Sequence, residues 1–308
     1  MIKHQSIFKT EITNYLTENI EKDNISYFAD LTFGGGGHSH AIHDVLTNSQ
    51  IKAIDKDPDI INLSTDYFSK NNINYVELVH SDFCNYMNVF NNEWCEIKER
   101  GGFDGIIMDL GISSYQIDSE TRGFSFRFDA PLDMRMDNSS TGLSAFDIVN
   151  EYKEEDLATL LFEYGGERFS RRIAENIIKF RHDNGQIKTT KELENIVYHS
   201  YPKKLRYNKT HPATKTFQAI RIVVNKELSS LEETLSDICK SLKNQGRICV
   251  ITFHSLEDRI VKHIFKDLSI KENFRLIEKR AIKPSASEIE LNPRSRSAKL
   301  RILERHDV

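Results

Sequence analysis

Acidic residues and glycines at the ends of apolar runs are the part of this sequence best suited to chemistry. The run that ends at Asp30 is followed closely by four consecutive glycines, Gly34 to Gly37. A second apolar run ends at Asp55, about 20 residues beyond the glycines. Because glycine lets a backbone approach a ligand closely, this spacing predicts a nucleotide-type cofactor site.

The glycine loop fits one class of cofactor better than the alternatives. A dinucleotide site needs a glycine at the sixth position, where this loop has Ser39 or His40, depending on the starting glycine. A phosphate-binding loop needs a lysine, and none lies between Leu31 and Lys52. A plain tight turn is the remaining alternative explanation of the loop, although four glycines cost more backbone entropy than such a turn requires. S-adenosylmethionine carries no phosphate, so it fits a loop of this kind best.

Groups at four predicted strand ends match the needs of S-adenosylmethionine. Asp55 can accept hydrogen bonds from the ribose hydroxyls, and Phe83, after a third strand, can cover the adenine. Asp30 can orient the loop amides or attract the cationic groups of the donor. Asp109 ends a fourth strand, where the methyl donor and acceptor would meet. Because the carboxyl ends of parallel strands share one edge of a sheet, we expect these groups to form one site.

The order of predicted strands and helices indicates an α/β fold. The predicted strands lie near 26–31, 50–54, 75–79, 103–110, 247–253, 274–278 and 299–303. Helical patterns separate the first four strands, as in a doubly wound parallel sheet. We therefore predict a Rossmann-like domain formed by 1–116 and 217–308, with an all-helical domain, 117–216, inserted into it. One long helix is predicted from residue 217 to residue 242.

The composition is typical of a cytoplasmic enzyme. The 308 residues carry a net charge of −4 and contain four cysteines without Cys-x-x-Cys spacing, which argues against a disulfide framework or a zinc site. No apolar run approaches the roughly 18 residues of a membrane span, and the N-terminus lacks an apolar signal core. His38, His40 and His43 do not share one helix face, so no metal site is expected.

Residues 200–226 are suited to contact with nucleic acid. They include seven basic residues and no aspartate or glutamate, which favours phosphate binding. Tyr201, Tyr207 and Phe217 lie among them and are expected to offer stacking surfaces. A second basic stretch covers 294–305, and a solvated helix face is the alternative explanation of either stretch. The predicted RNA-binding residues are Lys203, Lys204, Arg206, Lys209, Lys215, Arg294 and Arg296.

Eight motifs, in order along nearly the whole chain, resemble those of one family. They are TFGGGGHS (32–39), DLGISS (109–114), RGFSF (122–126), PLDMRMD (131–137), GERF (166–169), HPATKTFQA (211–219), FHSLEDR (253–259) and NPRSRS (292–297). The chain is similar to the bacterial 16S ribosomal RNA cytosine-N4 methyltransferases of the RsmH/MraW family. The resemblance implies a class I S-adenosylmethionine-dependent methyltransferase that methylates the exocyclic N4 of a decoding-centre cytidine, with an inserted helical domain for substrate recognition.

The resemblance also implies the residues that bind the cofactor and the partner of the enzyme. The implied S-adenosylmethionine contacts are Gly36, Gly37, His38, Asp55, Phe83, Asp109 and Gln116. Tyr115 stands where the family commonly has proline, and Gly35 where it often has a basic residue. The implied partner is 16S rRNA within the small ribosomal subunit. The oligomeric state stays open, with a homodimer as one alternative.

Catalysis on the N4 amine needs positioned groups, because the amine lone pair is delocalised into the cytosine ring. Hydrogen-bond acceptors at the amine can localise that lone pair. We expect Asp109, with Ser113 nearby, to position substrate or donor; a carboxylate that only binds the donor is the alternative. His254 is adjacent to Ser255, but the chain has no Gly-x-Ser-x-Gly elbow of a hydrolase. We expect His254 to line the acceptor pocket.

Two alternatives to rRNA methylation follow from the same residues. The same core is compatible with methylation of DNA or protein. A non-catalytic ribosome-assembly factor that kept the fold is the alternative from a different class. The filled cofactor positions favour an enzyme.

Overall fold

The sequence folds into seven strands that form one sheet. The computed structural model describes residues 6–207 and 209–307. The strands are β1 Ser26–Asp30, β2 Ser49–Asp55, β3 Val76–His80, β4 Phe103–Asp109, β5 Leu242–Thr252, β6 Phe274–Leu276 and β7 Lys299–Arg305. Their order in the sheet is β3-β2-β1-β4-β5-β7-β6, which confirms the predicted α/β class.

The centre of the sheet is the pair β1 and β4. β1 runs parallel to both β2 and β4, and Asp30 lies opposite Ala53 of β2 and Ile107 of β4. Only β7 runs against the other strands, antiparallel to β5 and β6. On one side of β1 the chain adds β2 and then β3. On the other side it adds β4 and then β5, so the strand order reverses at β1. Ligands of open α/β sheets bind at such a switch point, outside the carboxyl ends of the strands.

Fourteen helices are formed by the described residues. They are α1 Lys9–Thr17, α2 Gly37–Val45, α3 Pro58–Asn71, α4 Tyr86–Asn92, α5 Cys95–Glu99, α6 Ser114–Asp118, α7 Ala145–Glu151, α8 Glu154–Gly165, α9 Ser170–Asn184, α10 Thr190–Ser200, α11 Ala213–Asn225, α12 Glu227–Lys240, α13 Ser255–Lys271 and α14 Ala286–Leu291. None of these helices has the length and apolar character needed to cross a bilayer.

The chain forms two units by its internal contacts. One unit comprises the described residues up to Ser113 and those from Leu228 onwards, and contains the sheet. The other unit is Ser114–Glu227. In it, α8 packs against α9 and α11, and α10 packs against α9.

The core of the sheet unit is rich in large aromatic side chains. Tyr86, Trp94, Phe103 and Phe265 are fully buried, and they join α4, α5, β4 and α13. The Trp94 and Phe103 rings meet edge to face with centroids 5.9 Å apart. Burial of each such side chain stabilises the fold by about 1.5–3 kcal/mol. This packing holds the strands whose ends carry the polar groups described below.

The predicted helix from 217 to 242 is wrong, because the chain breaks at Lys226. Helix α11 ends at Asn225, and Lys226 has a left-handed φ of 53°. The Asn225 side chain is buried, where Nδ2 donates to Met134 O (2.8 Å) and Oδ1 accepts from Met136 N (2.8 Å). This amide is fixed by a loop distant in sequence, and a helical periodicity does not reveal such a contact.

Candidate active site

The glycine loop lies between β1 and α2, and both neighbouring strands hold its backbone. Leu31 N donates to Ile107 O, and Phe33 N donates to Ile54 O, each at 3.0 Å. Gly36 has a φ of 70°, and a Cβ there would lie 2.5 Å from the Phe33 ring. Glycine is therefore required at this position. The turn leads directly into the first turn of α2, whose backbone amides have no acceptor within the helix.

Asp30 is buried beneath the loop and organises it. Its Oδ2 accepts a hydrogen bond from Ser39 Oγ (2.7 Å), and its Oδ1 accepts one from Thr32 N (3.4 Å). Burial raises the pKa of Asp30, although the Ser39 hydrogen bond opposes the rise. These contacts tie Asp30 to the residues on either side of the glycines; its roles toward the loop amides and the donor stay predictions.

Asp55 ends β2 beside the same loop. Its Oδ2 accepts from Gly34 N (2.6 Å), and its Oδ1 accepts from Asp57 N (2.8 Å). Burial raises the pKa of Asp55 from 3.8 to about 6, while the two backbone hydrogen bonds limit the rise. Each carboxylate oxygen can accept a second hydrogen bond. Asp55 is therefore suited to the ribose hydroxyls that the sequence predicts as its partners.

Phe83 follows β3 in a short 3-10 helix, Phe83–Asn85. Asp82 begins this turn and accepts a hydrogen bond from Cys84 N (2.9 Å). Lys56 Nζ lies 2.5 Å from Asp82 Oδ2, which further fixes the turn. The Phe83 ring is half-buried and packs against the aromatic core. The held ring offers a flat apolar surface; its contact with adenine stays a prediction.

His38 and Asp109 come together at the switch point between β1 and β4. His38 lies in the first turn of α2 and Asp109 ends β4; His38 Nε2 is 3.8 Å from Asp109 Oδ2. That distance is too long for a hydrogen bond. Both ring nitrogens of His38 and Oδ1 of Asp109 are buried without a hydrogen-bond partner among the described residues. Buried polar atoms are rarely left unpaired, so this pair fits a polar ligand.

Thr32 fixes the backbone of Asp109. Asp109 N donates to Thr32 Oγ1 at 2.6 Å, which ties the end of β4 to the glycine loop. Thr32 and Ser39 also build the site, although neither was predicted from the sequence to do so. The sequence contains one signal for them, since both hydroxyl residues flank the glycines within a single motif.

His40 and His43 have separate surroundings from His38. The His43 ring stacks on Tyr75 with centroids 3.4 Å apart, and His40 Nδ1 lies 2.6 Å from the Tyr75 hydroxyl. Burial lowers the pKa of His40. These two histidines thus pack and hydrogen-bond around one tyrosine.

His254 acts as the N-cap of α13. Its Nδ1 accepts from Glu257 N (3.4 Å), and Glu257 Oε2 accepts in return from His254 N (3.2 Å). A ring nitrogen that accepts has no proton, so in the neutral ring the proton is on Nε2. Nε2 lies 3.2 Å from Glu257 Oε1, and both side chains are at least nine-tenths buried. The cap fixes the tautomer and orientation of His254; its role at the acceptor stays a prediction.

Two other predicted residues lie just after β4. Ser113 is in the segment that follows β4, and Gln116 is a buried residue of α6 in the helical unit. Neighbouring Gly111 has a φ of 98°, and a Cβ there would lie 3.2 Å from the Phe253 ring. The roles of Ser113 in catalysis and Gln116 in cofactor binding stay predictions.

The predicted RNA-binding residues of the helical unit differ in whether their charged groups are held by neighbouring residues. Lys203, Lys204 and Lys209 are exposed, and none forms an ion pair with a described carboxylate. Arg206 Nε donates to Tyr201 O (2.9 Å), and Lys215 Nζ donates to Gly166 O (3.0 Å). The charges of the three lysines are therefore the most available to a binding partner.

The second basic stretch is partly neutralised within the sheet unit. Lys299 Nζ and Arg301 Nε lie 2.7 Å and 2.8 Å from the carboxylate of Asp258. Burial acts to raise the pKa of Asp258, but the hydrogen bonds from both cations outweigh it and hold the pKa low. Arg294 and Arg296 lie outside this cluster, in the 3-10 helix Pro293–Ser297.

Only one of the three predicted stacking residues is accessible. Tyr207 is 85% exposed, whereas Tyr201 and Phe217 are buried. Tyr201 donates its hydroxyl proton to the buried carboxylate of Glu167. Phe217 packs edge to face on Phe126 with centroids 5.1 Å apart. The prediction of exposed surfaces is therefore wrong for Tyr201 and Phe217, whose spacing in the sequence also suits a helix core.

The strand order and the polar groups at the carboxyl ends of β1, β2 and β4 define a class I, Rossmann-like methyltransferase fold. The family model described as the MraW methylase family matches residues 1–306. The chain belongs to this family, and the predicted resemblance is confirmed.

Curated relatives match nearly the whole chain. The ribosomal RNA small subunit methyltransferase H of a Picosynechococcus species is 44% identical over 98% of this chain and 96% of its own length. The protein of the same name from Oenococcus oeni is 42% identical over 94% of this chain and 95% of its own length. That of Synechococcus elongatus is 44% identical over 96% of this chain and 94% of its own length.

Proposed function

We propose that this protein is an S-adenosylmethionine-dependent methyltransferase that modifies the exocyclic N4 of a decoding-centre cytidine in 16S rRNA. The observation that supports this most is the buried His38 and Asp109 pair beside the glycine loop, whose ring nitrogens and carboxylate Oδ1 have no hydrogen-bond partner among the residues that the structure describes. Family membership and the names of the curated relatives support methyl transfer to small-subunit ribosomal RNA.

The residues around the loop fit the cofactor that the sequence predicts. S-adenosylmethionine supplies, when bound, a methyl group on a positively charged sulfur that is open to nucleophilic attack. Gly36, Gly37 and His38 would hold it by their backbone at the start of α2, where a Cβ on Gly36 has no room. Asp55 would accept hydrogen bonds from its ribose hydroxyls. Phe83 would cover the adenine, and Gln116 is proposed as a further contact.

Asp109 is the group best placed to act on the acceptor amine. Its Oδ1 can accept a hydrogen bond from the N4 amine, which favours the lone pair localised on nitrogen. The same oxygen can hold the proton that the amine must lose. His38, 3.8 Å from Oδ2, can stabilise the negative charge of Asp109 before the transfer. Ser113 and His254 are proposed to complete the acceptor pocket, with His254 presenting Nε2–H.

The helical unit is proposed to recognise the RNA. Its exposed lysines at 203, 204 and 209 lie in a stretch free of acidic residues, which suits contact with phosphates. Lys215 and Arg206 would contribute from the same unit, and Arg294 and Arg296 from the sheet unit. The proposed partner is 16S rRNA within the small ribosomal subunit, and a cytoplasmic location follows from that partner.

A panel of acceptors tests the proposal directly. Transfer of a labelled methyl group from S-adenosylmethionine would be measured to 30S subunits, to naked 16S rRNA, to duplex DNA and to bovine casein. We expect transfer to 30S subunits or 16S rRNA, and none to DNA or casein. Transfer to DNA or casein instead would replace the proposed acceptor. Donor binding without transfer to any acceptor would favour the assembly-factor alternative.

A further inference from the structure

Three aromatic rings of the helical unit stack in a row. Phe126 stacks on His211 with centroids 4.7 Å apart and planes 28° from parallel. His211 stacks in turn near Tyr198, at 5.9 Å and 20°. The rings come from positions 126, 198 and 211, so this row depends on the fold and no local sequence pattern predicts it.

Polar contacts at His211 hold the row in place. Its Nδ1 accepts from Ala213 N (3.2 Å), at the start of α11. Its Nε2 lies 3.2 Å from Glu194 Oε1. With both nitrogens engaged, the imidazole plane cannot rotate freely, and Tyr198 is stacked on a fixed ring.

Tyr207 lies at the exposed end of this row. Its ring meets Tyr198 edge to face, with centroids 6.5 Å apart and planes 87° from parallel. The Tyr207 ring thus contacts the row through Tyr198, while the residue stays 85% exposed to solvent.

Basic residues lie on both sides of Tyr207 in the sequence. The Arg206 guanidinium lies 5.2 Å from the centre of the Tyr198 ring and donates to His199 O (3.0 Å). Lys203, Lys204 and Lys209 are exposed within four residues of Tyr207. A solvent-exposed tyrosine is ordinary by itself. One that contacts a second tyrosine, and whose exposed basic neighbours form no ion pair with a described carboxylate, has the features of a base-stacking surface.

We propose that Tyr207, supported by Tyr198 and Arg206, stacks on an unpaired base of single-stranded RNA. This inference rests on the proposed function and adds that the helical unit binds RNA in a single-stranded form. Lys203, Lys204 and Lys209 contact the phosphates on either side of the stacked base. Bases within an A-form duplex have their faces covered by their neighbours, so duplex RNA cannot use this ring. The Tyr207 surface therefore selects a loop or an unpaired segment.

Equilibrium binding of fluorescein-labelled RNA tests this without methyl transfer. The probes are a single-stranded pyrimidine RNA of about 12 nucleotides and the same strand paired in a duplex. The variants are Tyr207→Ala, Tyr207→Phe and a control, Phe162→Ala, which removes another exposed ring (63% exposed) from α8. We expect Tyr207→Ala to weaken single-strand binding about 5- to 150-fold. Tyr207→Phe should stay within about threefold of the wild type, because it keeps the stacking ring.

The controls separate stacking from charge and from folding. Tyr207→Ala should leave duplex binding, the salt dependence of binding and the thermal unfolding midpoint unchanged, and Phe162→Ala should bind as the wild type does. Single-strand binding unchanged in Tyr207→Ala, or an equal loss for the duplex, would overturn the inference. Failure of the proposed function gives a different result: normal single-strand binding that depends on Tyr207, with no methyl transfer to 30S subunits or 16S rRNA.

Discussion

His38 Nε2 and Asp109 Oδ2 lie 3.8 Å apart, one in the first turn of α2 and the other at the end of β4. Neither the imidazole nor Asp109 Oδ1 has a hydrogen-bond partner among the described residues. Thr32 fixes the backbone of Asp109 by accepting a hydrogen bond from Asp109 N. The fold thus places a carboxylate and an imidazole with unsatisfied hydrogen bonds at the point where the strand order reverses, between β1 and β4. Such a pair is a cost to stability unless a ligand completes it.

Replacement of Asp109 by Asn tests its role at the acceptor. An amide keeps the size of the carboxyl but loses its charge and its capacity to take a proton. We expect the single-turnover rate of methyl transfer, at saturating donor, to fall about 100- to 10,000-fold. Rapid-quench transfer to 30S subunits and calorimetry of donor binding would be measured together, with Asp66→Asn, an exposed residue of α3, as control. Full transfer with normal donor affinity would refute the assignment.

The raised pKa of Asp55 predicts a pH dependence of donor binding. Ribose hydroxyls donate to the ionised carboxylate, and Asp55 ionises only above about pH 6, compared with an ordinary 3.8. Affinity for S-adenosylhomocysteine should therefore rise with pH up to about 6 and then level off. It should fall about tenfold for each pH unit below that value. Calorimetry between pH 5 and 8 measures this.

Asp55→Asn should remove that pH dependence. It should also weaken binding roughly 10- to 100-fold at pH 8, because a hydrogen bond to a charged group is lost. Asp66→Asn serves again as the control for a change of net charge. A wild-type affinity that is flat from pH 5 to 8 would contradict the assigned role of Asp55.

Gly36→Ala and Gly37→Ala form a matched pair that tests the loop. A Cβ on Gly36 meets the buried Phe33 ring at 2.5 Å, and the backbone has a φ of 70°. A Cβ on Gly37 meets Ser6 Oγ, which can rotate away. We expect Gly36→Ala to lower the free energy of unfolding by on the order of 1–3 kcal/mol and Gly37→Ala to lower it less. Urea denaturation measures both, and equal losses would contradict this account of the loop.

Charge reversal of Lys203 and Lys204 tests phosphate contact separately from stacking. The double variant Lys203→Glu/Lys204→Glu should weaken RNA binding and lower the slope of log affinity against log salt by about 1.4, or about 0.7 for each phosphate contact. Donor affinity should not change, since neither lysine is among the proposed donor contacts. Lys179→Glu, at an exposed position of α9, is the control. A salt slope equal to that of the wild type would exclude these lysines from the RNA interface.

The sequence predicted the sheet and its strand ends well because those features are local. Apolar runs ending in Asp30, Asp55 and Asp109 predict buried strands, and parallel strands bring their carboxyl ends to one edge. The break at Lys226 was not predictable in this way, since it depends on Asn225 bonding to a loop about 90 residues earlier. A helix break of this kind depends on long-range contacts, which a local sequence pattern does not show.

Long-range contacts also decide which side chains remain free. Lys299 and Arg301 are basic in sequence, but Asp258 pairs with both. The charge that a sequence shows therefore exceeds the charge that is available to RNA. Likewise, a tyrosine at 201 and a tyrosine at 207 look equivalent until the fold buries one against Glu167.

The position of the transferred methyl group tests the central claim most directly. 30S subunits lacking the modification would be incubated with the protein and labelled S-adenosylmethionine, and their 16S rRNA digested to nucleosides for mass spectrometry. We predict that the label is recovered as N4-methylcytidine at one decoding-centre position, and that the Asp109→Asn protein yields little of it. Label on another base, at carbon 5 of cytosine or only on ribosomal protein would contradict the account.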